Sequence, residues 1–182
     1  MMTLMPRQNK PTDLPLKELP VVATLADVVW RDAKSDLAFV PAATFSANIT
    51  PDSQNVAPLQ DDSIVVMELT GIQIQNAIIR SISHVPKAFG GLLSTAGMTT
   101  TVSVTADGRA RLMNVSVGGK RLDTTKQYRV AMPKPLADGQ LGYFQIWDKQ
   151  AVRSTTNLTI IGCFRKQTGS NTVVPSYKIN GQ

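Results

Sequence analysis

Few side chains in this sequence could perform chemistry, and the two best candidates each stand alone. His84 is the only histidine and Cys163 the only cysteine. A nucleophile–histidine pair, a multi-histidine metal site, an internal disulfide and a thiolate zinc cluster therefore all lack partners. Cys163 has mostly apolar neighbours, so we expect a small buried core residue rather than a nucleophile. His84 follows a predicted helix and precedes Val85-Pro86, which predicts a surface loop residue.

Two charged patterns could in principle form sites. Asp61 and Asp62 are adjacent carboxylates, but neighbours in a loop are more typical of a solvated turn than of acid and base partners. The densest basic stretch runs from Lys120 to Lys134, in a chain whose formal net charge is +6. It contains no run of about five or six like charges, so we expect no nucleic-acid interface and only a weak preference for anionic partners.

Length and composition indicate one folded domain. The chain has 182 residues, of which 42% are apolar and 18% charged, as expected for one ordinary core. No stretch approaches the roughly 18 apolar residues of a membrane helix, and the first ten residues lack the apolar core of a signal peptide. We expect no membrane partner, and the compartment stays open between a cytoplasmic protein and a piece of a longer exported chain.

The predicted elements indicate an α+β fold. Helices are predicted over 19–34 and 71–82, where apolar residues recur at helical spacing. A final helix is predicted to begin near 154–157 and to include 158–165. Strands are predicted over 36–40, 63–69, 98–105, 111–117 and 128–132, with a further one near Val173. Helices packed against a mixed or antiparallel sheet are the natural architecture for this order.

The domain boundaries follow from composition. Residues 1–19 are polar and contain three prolines, so they are predicted to be an N-terminal tail or linker. The folded domain is predicted to occupy 20–168. Residues 169–182 are predicted to form a polar C-terminal tail.

Four collinear segments carry a family resemblance. They are LADVVWRDAKSDLAFVPA at 25–42, SIVVMELTGIQIQNA at 63–77, GKRLDTTKQYRVA at 119–131 and GQLGY at 139–143. The second is similar to a strand followed by E-L-T-G, the third to G-K-P-L-D-P-x-K-x-Y-x-V-A and the fourth to G-G-D-G-Y. In this order they resemble the C-terminal domain of 5′-nucleotidases, the family that includes UDP-sugar hydrolases and cyclic phosphodiesterases.

The resemblance implies a division of labour between two domains. In that family a preceding metallophosphatase domain holds two divalent metals through Asp, His and Asn ligands and cleaves the phosphate ester. The C-terminal domain binds the base and the ribose. A chain with one histidine has no such ligand set, so we expect no cofactor and no catalytic residue here. The family is mostly periplasmic or extracellular.

The family's first ligand segment has changed in this chain. V-N-A-G-G-I-R aligns with VPAATFS, which places Pro41 at the asparagine position and Ala43 and Thr44 at the glycine positions. Ser46 stands where the family has arginine. A serine cannot hold an anionic or oxygen-rich ligand with a rigid fork of donors, as arginine does.

The remaining ligand positions have also changed. Thr100 takes the place of one of the two aromatic residues that sandwich the base, and Leu141 takes the place of the ribose-binding acid. Tyr143, with the adjacent Phe144, is the remaining stacking surface. The alternative for Tyr143 is an aromatic side chain that packs a loop against the sheet. The resemblance thus implies a residual substrate site at Tyr143, Phe144, Ser46 and Thr100.

Three functions stay open on these grounds. The first is a non-catalytic domain of the 5′-nucleotidase C-terminal type that acts as a binding or interaction module. Its expected partners are a weakly bound nucleoside or nucleotide, a protein, or a second copy of the chain. The second is the substrate-binding part of a two-domain phosphoric ester hydrolase whose metal-binding half is not in this chain. The third is a divergent enzyme, for which no group of residues offers support.

Overall fold

The computed structural model describes residues 20–45, 56–148, 151, 153–167 and 177–180. The helices are α1 (Pro20–Ala33), α2 (Gly71–Ile82), α3 (Lys134–Ala137) and α4 (Ile160–Arg165), with 3₁₀ helices at Ala42–Thr44 and Gln140–Gln145. The strands are β1 (Leu37–Pro41), β2 (Ser63–Thr70), β3 (Leu93–Ala96), β4 (Met98–Val104), β5 (Ala110–Val117), β6 (Lys120–Arg121), β7 (Gln127–Pro133), β8 (Arg153–Thr159) and β9 (Tyr177–Ile179).

The strands form two sheets. The first has the order β3-β1-β7-β2-β8. It is mixed, because β1 and β7 run parallel while the other three pairs of neighbouring strands are antiparallel. The second has the order β6-β5-β4-β9, with β4 and β9 parallel. The α+β class is confirmed, as are the helices predicted over 19–34 and 71–82 and the five strands predicted with defined ranges.

The five-stranded sheet is covered on both faces. Along β1, Leu37 and Phe39 join one apolar cluster while Ala38 and Val40 join another, as side chains that alternate across a strand must. The first cluster includes α2 and parts of the second sheet, and the other includes α1 and α4. A strand buried on both faces is apolar throughout its length, which explains the short apolar runs in the sequence.

The start of α2 is fixed by its own sequence. Thr70 accepts a hydrogen bond from the backbone N–H of Gln73, and the Gln73 side chain accepts one from the backbone N–H of Thr70. This reciprocal pair satisfies two donors that have no partner within the helix. The capping box therefore ends β2 and begins α2, the helix that carries the main contact to the candidate site.

The prediction of a helix that begins near 154–157 was wrong at its start. Residues 153–159 form strand β8, and α4 begins at Ile160, with the Thr159 hydroxyl accepting from the backbone N–H of Gly162 at 3.1 Å. Val65 and Val66 of β2 pair with Thr155 and Ser154, so sheet pairing decides the conformation of residues that also suit a helix cap.

The stretch predicted as a polar C-terminal tail contains a strand. Tyr177–Ile179 is β9, which pairs with β4. The Tyr177 hydroxyl donates to the Leu93 carbonyl oxygen at 2.8 Å, which anchors the strand. Residues 1–19 and Val173 lie outside the described residues.

None of the helices in the described part of the chain combines the length and apolar character needed to cross a bilayer.

Candidate functional site

The segment 139–145, which we call the site loop, follows α3 and has an unusual backbone. Leu141 has φ 58° and Gly142 has φ 81°, so two consecutive residues are left-handed. Such a conformation is costly for a leucine and persists only where surrounding contacts hold it. A Cβ atom on Gly142 would lie 1.9 Å from the Nη2 atom of Arg80, so another residue there would displace the Arg80 guanidinium.

Arg80 on α2 holds the site loop in place. Its Nε donates to the Leu141 carbonyl oxygen at 2.9 Å, and its Nη2 donates to the same oxygen. The guanidinium carbon also lies 5.5 Å from the ring centroid of Phe89 and 5.6 Å from that of Tyr143. The planar fork and its contact with two rings suit arginine and not lysine. Arg80 is the only charged residue of α2, but nothing in the sequence indicates that it contacts the site loop, 61 residues further along the chain.

Tyr143 is enclosed within the site loop. Its side chain has no exposed surface, and its hydroxyl donates to the Gly91 carbonyl oxygen at 2.7 Å. The ring stacks on Trp147 with centroids 5.1 Å apart. Burial raises the pKa of the phenol far above its ordinary value. A ligand could stack on this ring only if a neighbouring side chain moved away.

Phe144, by contrast, is 63% exposed. It lies at the side of a shallow cavity of about 360 Å³ whose other lining residues are Gln145, Ile146, Trp147 and Asp148. It is therefore the aromatic residue of the site loop that a ligand could reach without rearrangement. Thr100 is fully buried on β4, and its hydroxyl has no hydrogen-bond partner among the described residues. Ser46 lies outside the described residues.

Two other aligned positions do come together in space. The backbone N–H of Ala43 donates to the Gly90 carbonyl oxygen at 2.8 Å, and a side chain at Gly90 would meet both Ala43 and Leu141. The first aligned segment and the site loop thus flank the same short stretch of chain. At these positions the surface offers methyl and isobutyl groups and no carboxylate or guanidinium.

A charged cluster anchors the start of the site loop. Asp138 forms an ion pair with Lys134 at 2.7 Å and a second with Arg153, whose Nη2 also donates to the Ala137 carbonyl oxygen at 2.8 Å. The Lys134 hydrogen bond, together with the Arg153 contact, lowers the pKa of the Asp138 carboxyl. The cluster joins α3 to β8 and fixes the point from which the site loop departs.

The side chains of Cys163, His84 and Asp61 each take part in packing or in a hydrogen bond of the fold. Cys163 is buried, as expected, and burial raises the pKa of its thiol to about 11. His84 is exposed in a loop and stacks on Phe89 with ring centroids 4.0 Å apart. Asp61 accepts from the backbone N–H of Ile161 at 2.8 Å, at the start of α4. Among the described residues, no group of three or more His, Cys, Asp or Glu side chains is arranged to hold a metal ion.

The sequence profile of the 5′-nucleotidase C-terminal domain matches residues 4–148. The chain belongs to this family.

Solved structures share the fold. A 5′-nucleotidase precursor of Thermus thermophilus superposes with a TM-score of 0.72 at 17% identity, covering 93% of this chain and 37% of that one. The NAD nucleotidase of Haemophilus influenzae gives 0.68 at 17% identity, covering 88% and 33%. A sulfate thiohydrolase of Thermus thermophilus gives 0.53 at 15% identity, covering 88% and 32%. The chain spans about a third of the length of these proteins. No curated protein sequence matches it.

Proposed function

We propose that the chain is a non-catalytic recognition domain of the 5′-nucleotidase C-terminal type in which the site loop has become a packed structural element. The observation that carries the proposal is the enclosure of Tyr143, which has no exposed surface and is covered by Trp147. Arg80, which could have bound an anion, directs its donors to the Leu141 carbonyl oxygen. Two of the residues that the family resemblance assigns to ligand contact, Tyr143 and Thr100, are here fully buried in the fold.

The changed residue types support the same proposal. Leu141 replaces an acid that would accept hydrogen bonds from ribose hydroxyls, and Thr100 replaces a stacking aromatic residue. Stacking contributes about 1–3 kcal/mol per base, and hydrogen bonds to charged groups contribute about 1.5–3 kcal/mol. The effects are not additive within one site. Even so, two such losses would shift a micromolar dissociation constant to about millimolar, because about 1.4 kcal/mol corresponds to a tenfold change.

Calorimetric titration of the purified chain with AMP, adenosine and UMP tests this proposal. We expect no dissociation constant below about 10 μM; a tighter one would show that a different recognition set has replaced the family's. Any residual site is proposed to comprise Tyr143 and Phe144 of the site loop together with Ser46 and Thr100, as the family resemblance implies. Phe144→Ala is then the decisive variant, because Phe144 is exposed while replacement of Tyr143 would also disturb packing. Binding unaffected by Phe144→Ala would place the site elsewhere.

A phosphate-release assay tests whether the chain is non-catalytic. The sequence contains one histidine, and His84 stands in an exposed loop beside Ser83 and Phe89. We expect no phosphate release from nucleoside monophosphates, UDP-sugars or cyclic nucleotides with manganese, cobalt or zinc added. A blank from cells that lack the chain controls for contaminating phosphatase. Release above that blank that co-purifies with the chain would refute the proposal.

A second candidate is the substrate-binding part of a longer two-domain hydrolase. The observation in its favour is length, since the chain spans about a third of the nucleotidase structures that share its fold. The length of the native open reading frame distinguishes the two candidates. A metallophosphatase sequence encoded in frame with this chain would support the second.

A further inference from the structure

A strip of exposed apolar side chains lies on α2, away from the site loop. Ile72 and Ile79 stand two helical turns apart and are each 46% exposed, while Met113 on β5 is 54% exposed. Ile79 and Met113 line one groove of about 170 Å³ between α2 and the β5–β6 side of the second sheet, which we call the α2–β5 groove. Its other lining residues are Gln75, Leu112, Asn114, Val115, Arg121, Leu122 and Thr124.

The exposure of these side chains has a structural origin. In the β4–β5 pair, Thr101 faces Asn114 and Val102 faces Leu112, so Met113 is the extra residue of a β-bulge. A bulge redirects a side chain out of the regular alternation of the strand. Ile72 and Ile79 lie outside the buried face of α2, which contains Ile74, Ala77 and Ile78. The helix is thus apolar on a second side.

The lining of the α2–β5 groove contains one cation, Arg121. Lys120, which precedes Arg121 on β6, and Arg111, two residues before Met113 on β5, are near it in sequence, and the chain has a formal net charge of +6. None of these three cations forms an ion pair with a residue in the described part of the chain. The neighbouring acid, Asp123, accepts hydrogen bonds from the backbone N–H and hydroxyl of Thr125 within its own turn. The groove therefore presents the exposed side chains of Ile79 and Met113 beside the Arg121 guanidinium, which has no ion-pair partner among the described residues.

We propose that the α2–β5 groove is a docking surface for an acidic protein segment that presents aliphatic side chains between its carboxylates. Aliphatic groups would cover Ile79 and Met113, and a carboxylate would pair with Arg121. Such complementarity steers association and selects the partner. A second copy of the chain is disfavoured, because a two-fold contact would bring the same basic residues together. The proposal does not depend on the loss of nucleotide recognition, since no residue of the site loop lines this groove.

Selection from a displayed library of short random peptides against the full chain tests the proposal. We expect enriched peptides that combine acidic residues with aliphatic ones. Fluorescence anisotropy then measures their affinity for the wild-type chain and for Ile79→Gln and Arg121→Glu, with circular dichroism to show that each variant is folded. Each substitution should weaken binding by about tenfold. Met113→Gln, on a different element, provides the same measurement if Ile79→Gln does not fold.

Matched controls stand outside the groove. Leu59→Gln replaces another exposed apolar residue and Lys87→Glu reverses another exposed charge; both should change affinity by less than about twofold. Enrichment of basic peptides, no enrichment, or affinities equal in wild type and groove variants would overturn the proposal. A dimer in sedimentation that Ile79→Gln dissociates would identify a second copy as the occupant. Oligonucleotide binding that is lost in Arg121→Glu and retained in Ile79→Gln would identify a nucleic acid. Either result would also overturn it.

Discussion

Replacement of Arg80 by methionine should destabilise the domain by releasing the site loop. The substitution keeps most of the apolar stem but removes the donors to the Leu141 carbonyl oxygen and the contact with the Phe89 and Tyr143 rings. The lost charge-assisted hydrogen bonds are worth about 1.5–3 kcal/mol. The lost cation–π contact at this half-buried position adds about 0.5–1 kcal/mol. We therefore expect a loss of about 2–4 kcal/mol in the free energy of unfolding, a large part of the roughly 5–15 kcal/mol of a typical domain.

Urea unfolding followed by circular dichroism measures this loss. The midpoint should fall while the slope against urea concentration stays constant, because the buried surface changes little. Arg80→Lys keeps the charge without the fork and should lie between the two. Arg31→Met is the matched control: Arg31 is exposed and, within the described part of the chain, pairs only with the side chain and carbonyl oxygen of Asp27, so its loss should stay within about 0.5 kcal/mol. An Arg80→Met variant within about 0.5 kcal/mol of wild type would refute the assigned role of Arg80.

Three further predictions concern stability. In Gly142→Ala, the added Cβ clashes with Arg80, and the alanine also has to adopt a left-handed backbone. Gly118→Ala incurs the backbone cost alone, because Gly118 has φ 57° and no atom lies within 4 Å of the added Cβ. Thermal melting should show the larger loss of stability for Gly142→Ala, and equal losses would contradict the clash. Tyr143→Phe removes the buried hydroxyl donor and should cost about 1–3 kcal/mol in urea unfolding, and an unchanged midpoint would count against that hydrogen bond. Burial raises the pKa of the Cys163 thiol from 9.0 to about 11. Its contribution to stability is therefore complete below pH 9 and is lost as the pH rises from 9 to about 11, because the thiol of the unfolded chain ionises first. Cys163→Ala should reduce this alkaline loss of stability, and a pH profile identical to that of the wild type would refute the prediction.

Local sequence was sufficient to predict the framework. Apolar residues at helical spacing predicted α1 and α2, and short apolar runs predicted β1 and β2, because each element must bury a particular face. Cys163 was predicted as buried from its apolar neighbours, and His84 as exposed from its position before Val85-Pro86. These properties depend on residues close together in the chain, so one sequence contains the information.

Long-range pairing, by contrast, fixes the conformation of residues 153–159. Ser154 and Thr155 suit a helix cap as well as a strand, and pairing with β2, far away in the sequence, selects the strand. Tyr177 likewise belongs to a strand because β4 offers a parallel partner and Leu93 a carbonyl acceptor. Such long-range partners leave no periodic signal in the sequence.

The candidate site divides in the same way. The family resemblance alone implied that Leu141 stands at the position of an acid and Thr100 at that of an aromatic residue, and both assignments stay predictions. The structure alone gives the contacts of Tyr143 with Gly91 and Arg80, and that of Arg80 with Leu141, because these contacts join residues far apart in the chain. A side chain's accessibility depends on what packs over it. For Tyr143 that is Trp147 together with a guanidinium from α2, and only the folded chain brings them together.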